Sequence, residues 1–119
     1  MRILFVCGRA RARSPTAEQV FSRWPSLETA SAGVSDDADE PVEADHLAWA
    51  EIIVVMDRAH RRKLMRRFGP SLRHARIVCL DVRDDYAFME PELVSLLEAR
   101  ASRFLPSGCR PDQAARSKA

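Results

Sequence analysis

A chain of 119 residues, 46% hydrophobic and 30% charged, has the balance of one globular domain with a core of useful size. The formal net charge of +2 argues for neither a nucleic-acid partner nor a strongly acidic one, and no apolar run approaches the ~20 residues of a membrane span. Three cysteines at irregular spacing give no disulfide framework and no paired metal motif. The start MRILFVC is too short for a secretion signal, so a reducing cytoplasm is the expected compartment.

The first element is a buried strand over Ile3 to Val6, closed by Cys7. A five-residue loop follows (Gly8, Arg9, Ala10, Arg11, Ala12), then Arg13, Ser14 and Pro15. Ala17, Val20, Phe21 and Trp24 fall at helical spacing, which predicts a helix with Ser14 as its N-cap and Pro15 in its first position. This order of parts carries chemistry. A loop running into a helix N-terminus aims backbone N–H groups at one point and adds the positive end of the helix dipole. Arg13 offers a planar fork of donors to two oxygens of a phosphate. The same positive field favours the thiolate of Cys7, with Ser14 placed to donate to its sulfur. Attack of that thiolate on phosphorus would give a cysteinyl-phosphate for water to hydrolyse. By itself, a cysteine ending a strand also fits a small buried apolar side chain.

A weaker second strand is expected over Leu27 to Ser31, ended by Gly33, and Asp36 to Glu40 reads as an acidic surface loop. Pro41 can open a short helix to Trp49. Ile52 to Met56 is the third strand, and Asp57 caps a helix over Arg58 to Phe68 that Gly69-Pro70 closes. That helix carries Arg58, Arg61, Arg62, Lys63, Arg66 and Arg67, read as a solvated face with Leu64, Met65 and Phe68 inward; the other reading is a rim for an acidic or phosphorylated partner. No aromatic interleaves with these charges, which speaks against nucleic acid. The fourth strand is Arg76 to Leu80, and a last helix over Pro91 to Phe104 buries Leu93, Leu96, Leu97 and Phe104. The domain is expected to span residues 1–105, with 106–119 a disordered tail.

Alternating strands and helices predict an α/β fold, with the first strand central between the second and third. Its carboxyl end then lies where open α/β sheets bind ligands, with Cys7 at that end. The chemistry also needs an acid for the leaving oxygen, later a base for water. The loop after the fourth strand offers Asp81, Asp84, Asp85 and Glu90, which could equally be a solvated turn with Glu90 capping the last helix.

At these residues the chain resembles the low-molecular-weight protein tyrosine phosphatases, in their short bacterial branch. The resemblance rests on the strand into Cys7, the Cys-x5-Arg-Ser run to Ser14, and Pro15-Thr16-Ala17-Glu18. Ser31-Ala32-Gly33, Ile52 to Met56 with Asp57, and Val82-Arg83-Asp84-Asp85-Tyr86 follow in the same order. It covers about residues 2 to 104. It implies a four-stranded parallel sheet in the order 2-1-3-4 with helices on both faces, and neither metal nor other cofactor. It implies a phosphate site made by Gly8, Arg9, Ala10, Arg11, Ala12, Arg13 and Ser14, with Cys7, Arg13 and Asp84 catalytic. Asp84 aligns with the Asp of the family's Asp-Pro-Tyr triplet; Asp85 is the second candidate. Tyr86 and Trp49 are candidates for an aromatic wall, Trp49 being assigned rather to the core. The implied substrate is a phosphotyrosine-containing protein or a small aryl phosphate, with inorganic phosphate as product and no nucleic acid or membrane involved.

Three positions depart from the family pattern: Arg9 stands where Gly is usual, Ala10 where Asn is usual, and Ala12 where a second Cys is found. Asn holds a left-handed backbone better than Ala, so a less pre-organised loop is predicted. Two further functions stay open: a phosphate or phosphoprotein binder that turns over poorly, and a thiol-dependent arsenate reductase, which would need Cys79 or Cys109 as relay.

Overall fold

In a computed structural model, which describes residues 1–105, four parallel strands form one sheet in the order β2-β1-β3-β4. The strands are β1 (Arg2–Cys7), β2 (Glu28–Gly33), β3 (Ile52–Val55) and β4 (Arg76–Cys79). The predicted tail over 106–119 lies outside the described residues. The helices are α1 (Arg13–Phe21), α2 (Ala44–Trp49), α3 (Arg58–Phe68) and α4 (Pro91–Ala101), with a 3₁₀ turn over Gly69–Leu72.

β1 is central, so both its faces need apolar cover, and its unbroken run Ile3 to Val6 supplies it. Ile3, Phe5 and Cys7 face one core with Phe21 of α1 and Leu93 and Leu97 of α4. Leu4 and Val6 face the other with Leu47 of α2 and Leu64 of α3. Helices therefore cover both faces, as expected. Parallel register aligns Cys7 with Gly33 of β2 and Val6 with Val55 of β3. Hydrogen bonding continues past the strands into the loops at this edge. Val34 N–H donates to Cys7 O, Met56 N–H to Val6 O, Leu80 N–H to Val55 O and Val82 N–H to Met56 O.

Several sequence expectations shift. α1 ends at Phe21, because Trp24 precedes Pro25 and the residue before a proline disfavours helix. Trp24 is buried all the same, edge-on to Phe21 at 4.8 Å. Ser14 is not the N-cap; it lies inside the helix and Ala12 occupies the cap without a side-chain bond. Pro41 does not open α2, since its segment is held extended: it bridges to Gly33, and Val42 N–H donates to Gly33 O. Glu43 and His46 cap α2 reciprocally instead. Asp57 does cap α3, accepting from the His60 amide at 2.9 Å. Met65 is exposed at 46% rather than inward, because the buried stripe of α3 runs through His60 and Leu64. Among the described residues no helix is long and apolar enough to cross a membrane.

Candidate active site at the carboxyl edge of the sheet

A cleft of about 480 Å³ opens where β1 and β3 end. It is lined by Cys7 at the end of β1, by the following loop (Gly8, Arg9, Arg11, Ala12), by Arg13 at the start of α1, by Ser35, by Asp57 and His60 at the start of α3, and by Asp84. Cys7 forms its floor and is almost fully buried. Its sulfur lies 3.0 Å from Ser14 Oγ and accepts the Ala10 N–H at 3.3 Å. Ser14 is the second residue of α1, where its hydroxyl meets the sulfur instead of capping the helix.

Ala10 has φ 59°, a left-handed conformation that costs an L-residue with a Cβ about 1 kcal/mol or more. The turn that Asn would favour is thus present with Ala in it. What holds it lies outside the loop. Ser35 N–H donates to Gly8 O and Asp39 N–H to Arg9 O, while the side chains of Arg9 and Arg11 reach Asp37 and Asp39 at 3.4 and 3.2 Å. The acidic loop over Asp36 to Glu40 is therefore a brace for the neighbouring loop. Gly33 makes the close approach possible: a Cβ there would sit 2.5 Å from Gly8 O and 2.6 Å from Ala38 Cβ.

Arg13 is buried, and its Nη1 donates to Val82 O at 2.8 Å and to Asp57 Oδ2 at 3.4 Å. Its Nε makes no hydrogen bond; Asp84 Oδ1 lies 3.5 Å away, close enough for charge attraction but not aligned as an acceptor. Asp84 stands at the rim with its side chain 76% exposed. Its loop is fastened from two sides. Met89 N–H donates to Thr16 Oγ1 at 2.9 Å, and Arg100 Nη1 donates to Leu80 O at 3.0 Å and to Asp81 O.

Asp57 and His60 were legible in the sequence only as a helix cap and a helix residue, yet both line the cleft. His60 Nε2 lies 3.3 Å from Asp57 Oδ2, so one carboxylate faces the imidazole and the Arg13 guanidinium together. Burial pushes the carboxyl of Asp57 up, but the His60 amide, the His60 ring and Arg13 outweigh it and hold it below the usual carboxylate range. Burial lowers His60, aided by Arg13 and opposed by Asp57. His60 Nδ1 is buried without a partner. The available signal was positional: Asp57 lies just past the end of β3 and Cys7 ends β1, at the same edge of adjacent strands.

Other candidates are placed elsewhere. Asp85 turns to Arg83 at 3.4 Å and does not line the cleft. Tyr86 packs partly buried against the α1–α4 core and borders a separate groove with Pro91 and Leu96. Trp49 belongs to the core at the opposite edge, where its carbonyl accepts from Arg2 Nε. Cys79 lies on β4, two strands from Cys7 and in the core on the other face of the sheet, so these two sulfurs are not positioned to bond. Burial pushes its thiol up. Cys109 lies outside the described residues. Among the described residues no group of three or more His, Cys, Asp or Glu side chains could hold a metal ion.

No protein-family model matches the chain and no curated protein matches it. Solved structures do. A low molecular weight protein tyrosine phosphatase from Streptococcus pyogenes superposes with a TM-score of 0.70 at 16% identity, over 89% of this chain and 94% of that one. The tyrosine phosphatase Wzb from Escherichia coli K30, solved with phosphate, gives 0.69 at 20% identity, over 87% and 94%. The YwlE arginine phosphatase from Geobacillus stearothermophilus gives 0.68 at 22%, over 87% and 92%. With this sheet order and these superpositions, the chain has the fold of the low-molecular-weight protein tyrosine phosphatases.

Proposed function

We propose that the chain is a cysteine-dependent phosphomonoester hydrolase of the low-molecular-weight type, acting on phosphotyrosine in proteins or on small aryl phosphates. One observation carries this reading. The Cys7 sulfur, held by the Ala10 N–H and the Ser14 hydroxyl, lies at the floor of a loop beside a buried arginine whose Nε has no hydrogen-bond acceptor. A buried, unpaired guanidinium N–H is costly unless an anion completes it. Phosphate oxygens supply that anion, with loop N–H groups taking the remaining charge.

In this mechanism the Cys7 thiolate attacks phosphorus in line with the leaving oxygen. The S–P bond forms as the P–O bond breaks, and protonated Asp84 gives its proton to the departing alkoxide or phenoxide. Water then attacks phosphorus, Asp84 takes its proton, and the P–S bond breaks to release inorganic phosphate. Arg13 and the loop amides stabilise the equatorial oxygens in both steps. Asp57 and Val82 O fix the guanidinium so that its orientation costs nothing at the moment of reaction.

The test is hydrolysis of an aryl phosphate across about pH 4 to 8, comparing wild type with Cys7→Ser and Asp84→Ala. Abolition by Cys7→Ser and a large fall in Asp84→Ala support the reading. Wild type no faster than Cys7→Ser overturns it. A second reading, a phosphate binder with slow turnover, is favoured by Ala10 in a left-handed position that other side chains hold better. It predicts phosphate binding that depends on Arg13 without measurable hydrolysis. Since the fold is shared by tyrosine and arginine phosphatases, phosphotyrosyl and phosphoarginyl peptides are compared side by side.

A further inference from the structure

α3 begins at the cleft with Asp57 and His60 and leads away from it. Its exposed side carries Arg58, Arg61, Arg62, Met65 and Arg66, at i, i+3, i+4, i+7 and i+8, so all five share one stripe. Together they line a shallow groove of about 550 Å³. The residues of α3 include no acid. Arg58 reaches Asp81 at 3.8 Å, both side chains well exposed; among the described residues no carboxylate pairs with Arg61, Arg62 or Arg66. Arg67 is turned elsewhere, to Asp36 and Val34 O.

Helix physics does not favour this arrangement. Arg58–Arg62 and Arg62–Arg66 are like charges one turn apart and repel. Arg58 and Arg61 sit in the first turn of the helix, where the dipole favours anions. A face kept only for solubility would interleave signs. This one concentrates positive charge around an exposed methionine, next to a cleft that takes an anion.

We propose that this stripe docks an acidic segment of the phosphoprotein whose phosphorylated side chain occupies the cleft, an inference that rests on the phosphatase reading. Arg58 to Arg66 spans about 12 Å of helix, matched by roughly four residues of extended peptide. Arginine forks suit carboxylates, and Met65 offers an apolar contact between them. The stripe bears no aromatic for base stacking, which disfavours a nucleic acid as occupant.

The experiment compares phosphotyrosyl peptides carrying a run of four Asp/Glu, on either side of the phosphotyrosine, with the same peptides carrying Ser there. The proteins are wild type and the triple variant Arg61→Gln, Arg62→Gln, Arg66→Gln. Wild type is expected to hydrolyse one acidic peptide with a kcat/KM about tenfold above its Ser counterpart at low salt. The preference should shrink with added salt and vanish in the triple variant, while both proteins cleave an aryl phosphate equally. No preference in wild type, or a preference that survives the triple variant, overturns the proposal. Binding of a fluorescent acidic peptide lacking phosphate separates docking from catalysis. Weaker binding by the triple variant upholds docking even if no substrate is hydrolysed, and equal binding overturns it. An oligonucleotide of equal charge that binds tighter than the peptide, through the same arginines, also overturns it.

Discussion

Asp57 joins three groups, and its removal can be dissected. Its Oδ1 caps α3, and its Oδ2 faces Arg13 Nη1 at 3.4 Å and His60 Nε2 at 3.3 Å. At an effective dielectric near 20, a pair of unit charges at that separation attracts by about 5 kcal/mol before desolvation. The Asp57 side chain is 38% exposed, so solvent screens much of this, while Arg13 is buried and cannot regain water if its partner is lost. A net loss of about 2 kcal/mol lies between the values for surface and buried pairs. Asp57→Asn keeps a capping oxygen and loses the charge; Asp57→Ala loses both, adding about 1 kcal/mol. Urea unfolding followed by Trp24 and Trp49 fluorescence should therefore give losses of about 2 and about 3 kcal/mol, the first a midpoint shift of about 1 M. Because the folded carboxyl is held below its ordinary value, the contribution is fully present above the unfolded pKa near 3.9. It is lost as pH falls through the lower folded value, so the gap between wild type and Asp57→Asn closes below about pH 4. Saturating inorganic phosphate should also narrow it, since the anion replaces the missing charge beside Arg13. Asp57→Asn within 0.5 kcal/mol of wild type at neutral pH would refute the reasoning.

Gly33→Ala forces a Cβ against backbone at 2.5 Å and should cost about 1–3 kcal/mol and most of the activity, whereas Gly8→Ala meets only ordinary contacts from 3.5 Å and should fold normally. Thermal unfolding and aryl phosphate hydrolysis measure both. Burial lowers His60, so its contribution to stability is full above the unfolded pKa near 6.5 and falls as pH drops toward the folded value. His60→Gln should flatten the wild-type stability slope between about pH 7 and pH 5, measured by unfolding at each pH. Ala10→Gly relieves the left-handed Cβ at some entropic cost and should stabilise by about 0.5–1 kcal/mol, read by the same unfolding assay.

The sheet and its order were legible because a central parallel strand must be apolar on both faces, and Ile3 to Val6 is unmistakably so. The floor of the site was legible for a related reason: a strand, a short loop and a proline-marked helix start leave Cys7 and Arg13 few places to go. What escaped depends on contacts distant in sequence. Ser14 looks like an N-cap, but the helix starts one residue earlier and its hydroxyl meets the Cys7 sulfur. The acidic run Asp36 to Glu40 looks like a solvated turn until Arg9 and Arg11 are seen reaching into it. His60 and Met65 differ in burial only through the rotation of α3, which a helical pattern with few apolar residues leaves undefined. Tyr86, aligned with an aromatic wall, packs inward because the core between α1 and α4 offers it more apolar contact than the cleft does.

The ladder bonds that run on from β2, β3 and β4 into the loops have a consequence for local opening. The amides of Val34 and Met56 are rungs of the sheet directly before the cleft-lining Ser35 and Asp57, and Val82, also a rung, holds Arg13 through its carbonyl. Their hydrogen exchange should require the same global unfolding as the strand interiors, with protection close to the maximum in the protein. Denaturant should then abolish ligand binding and the native tryptophan emission in one transition. A substitution that weakens the sheet would lower the number of working molecules rather than the rate of each.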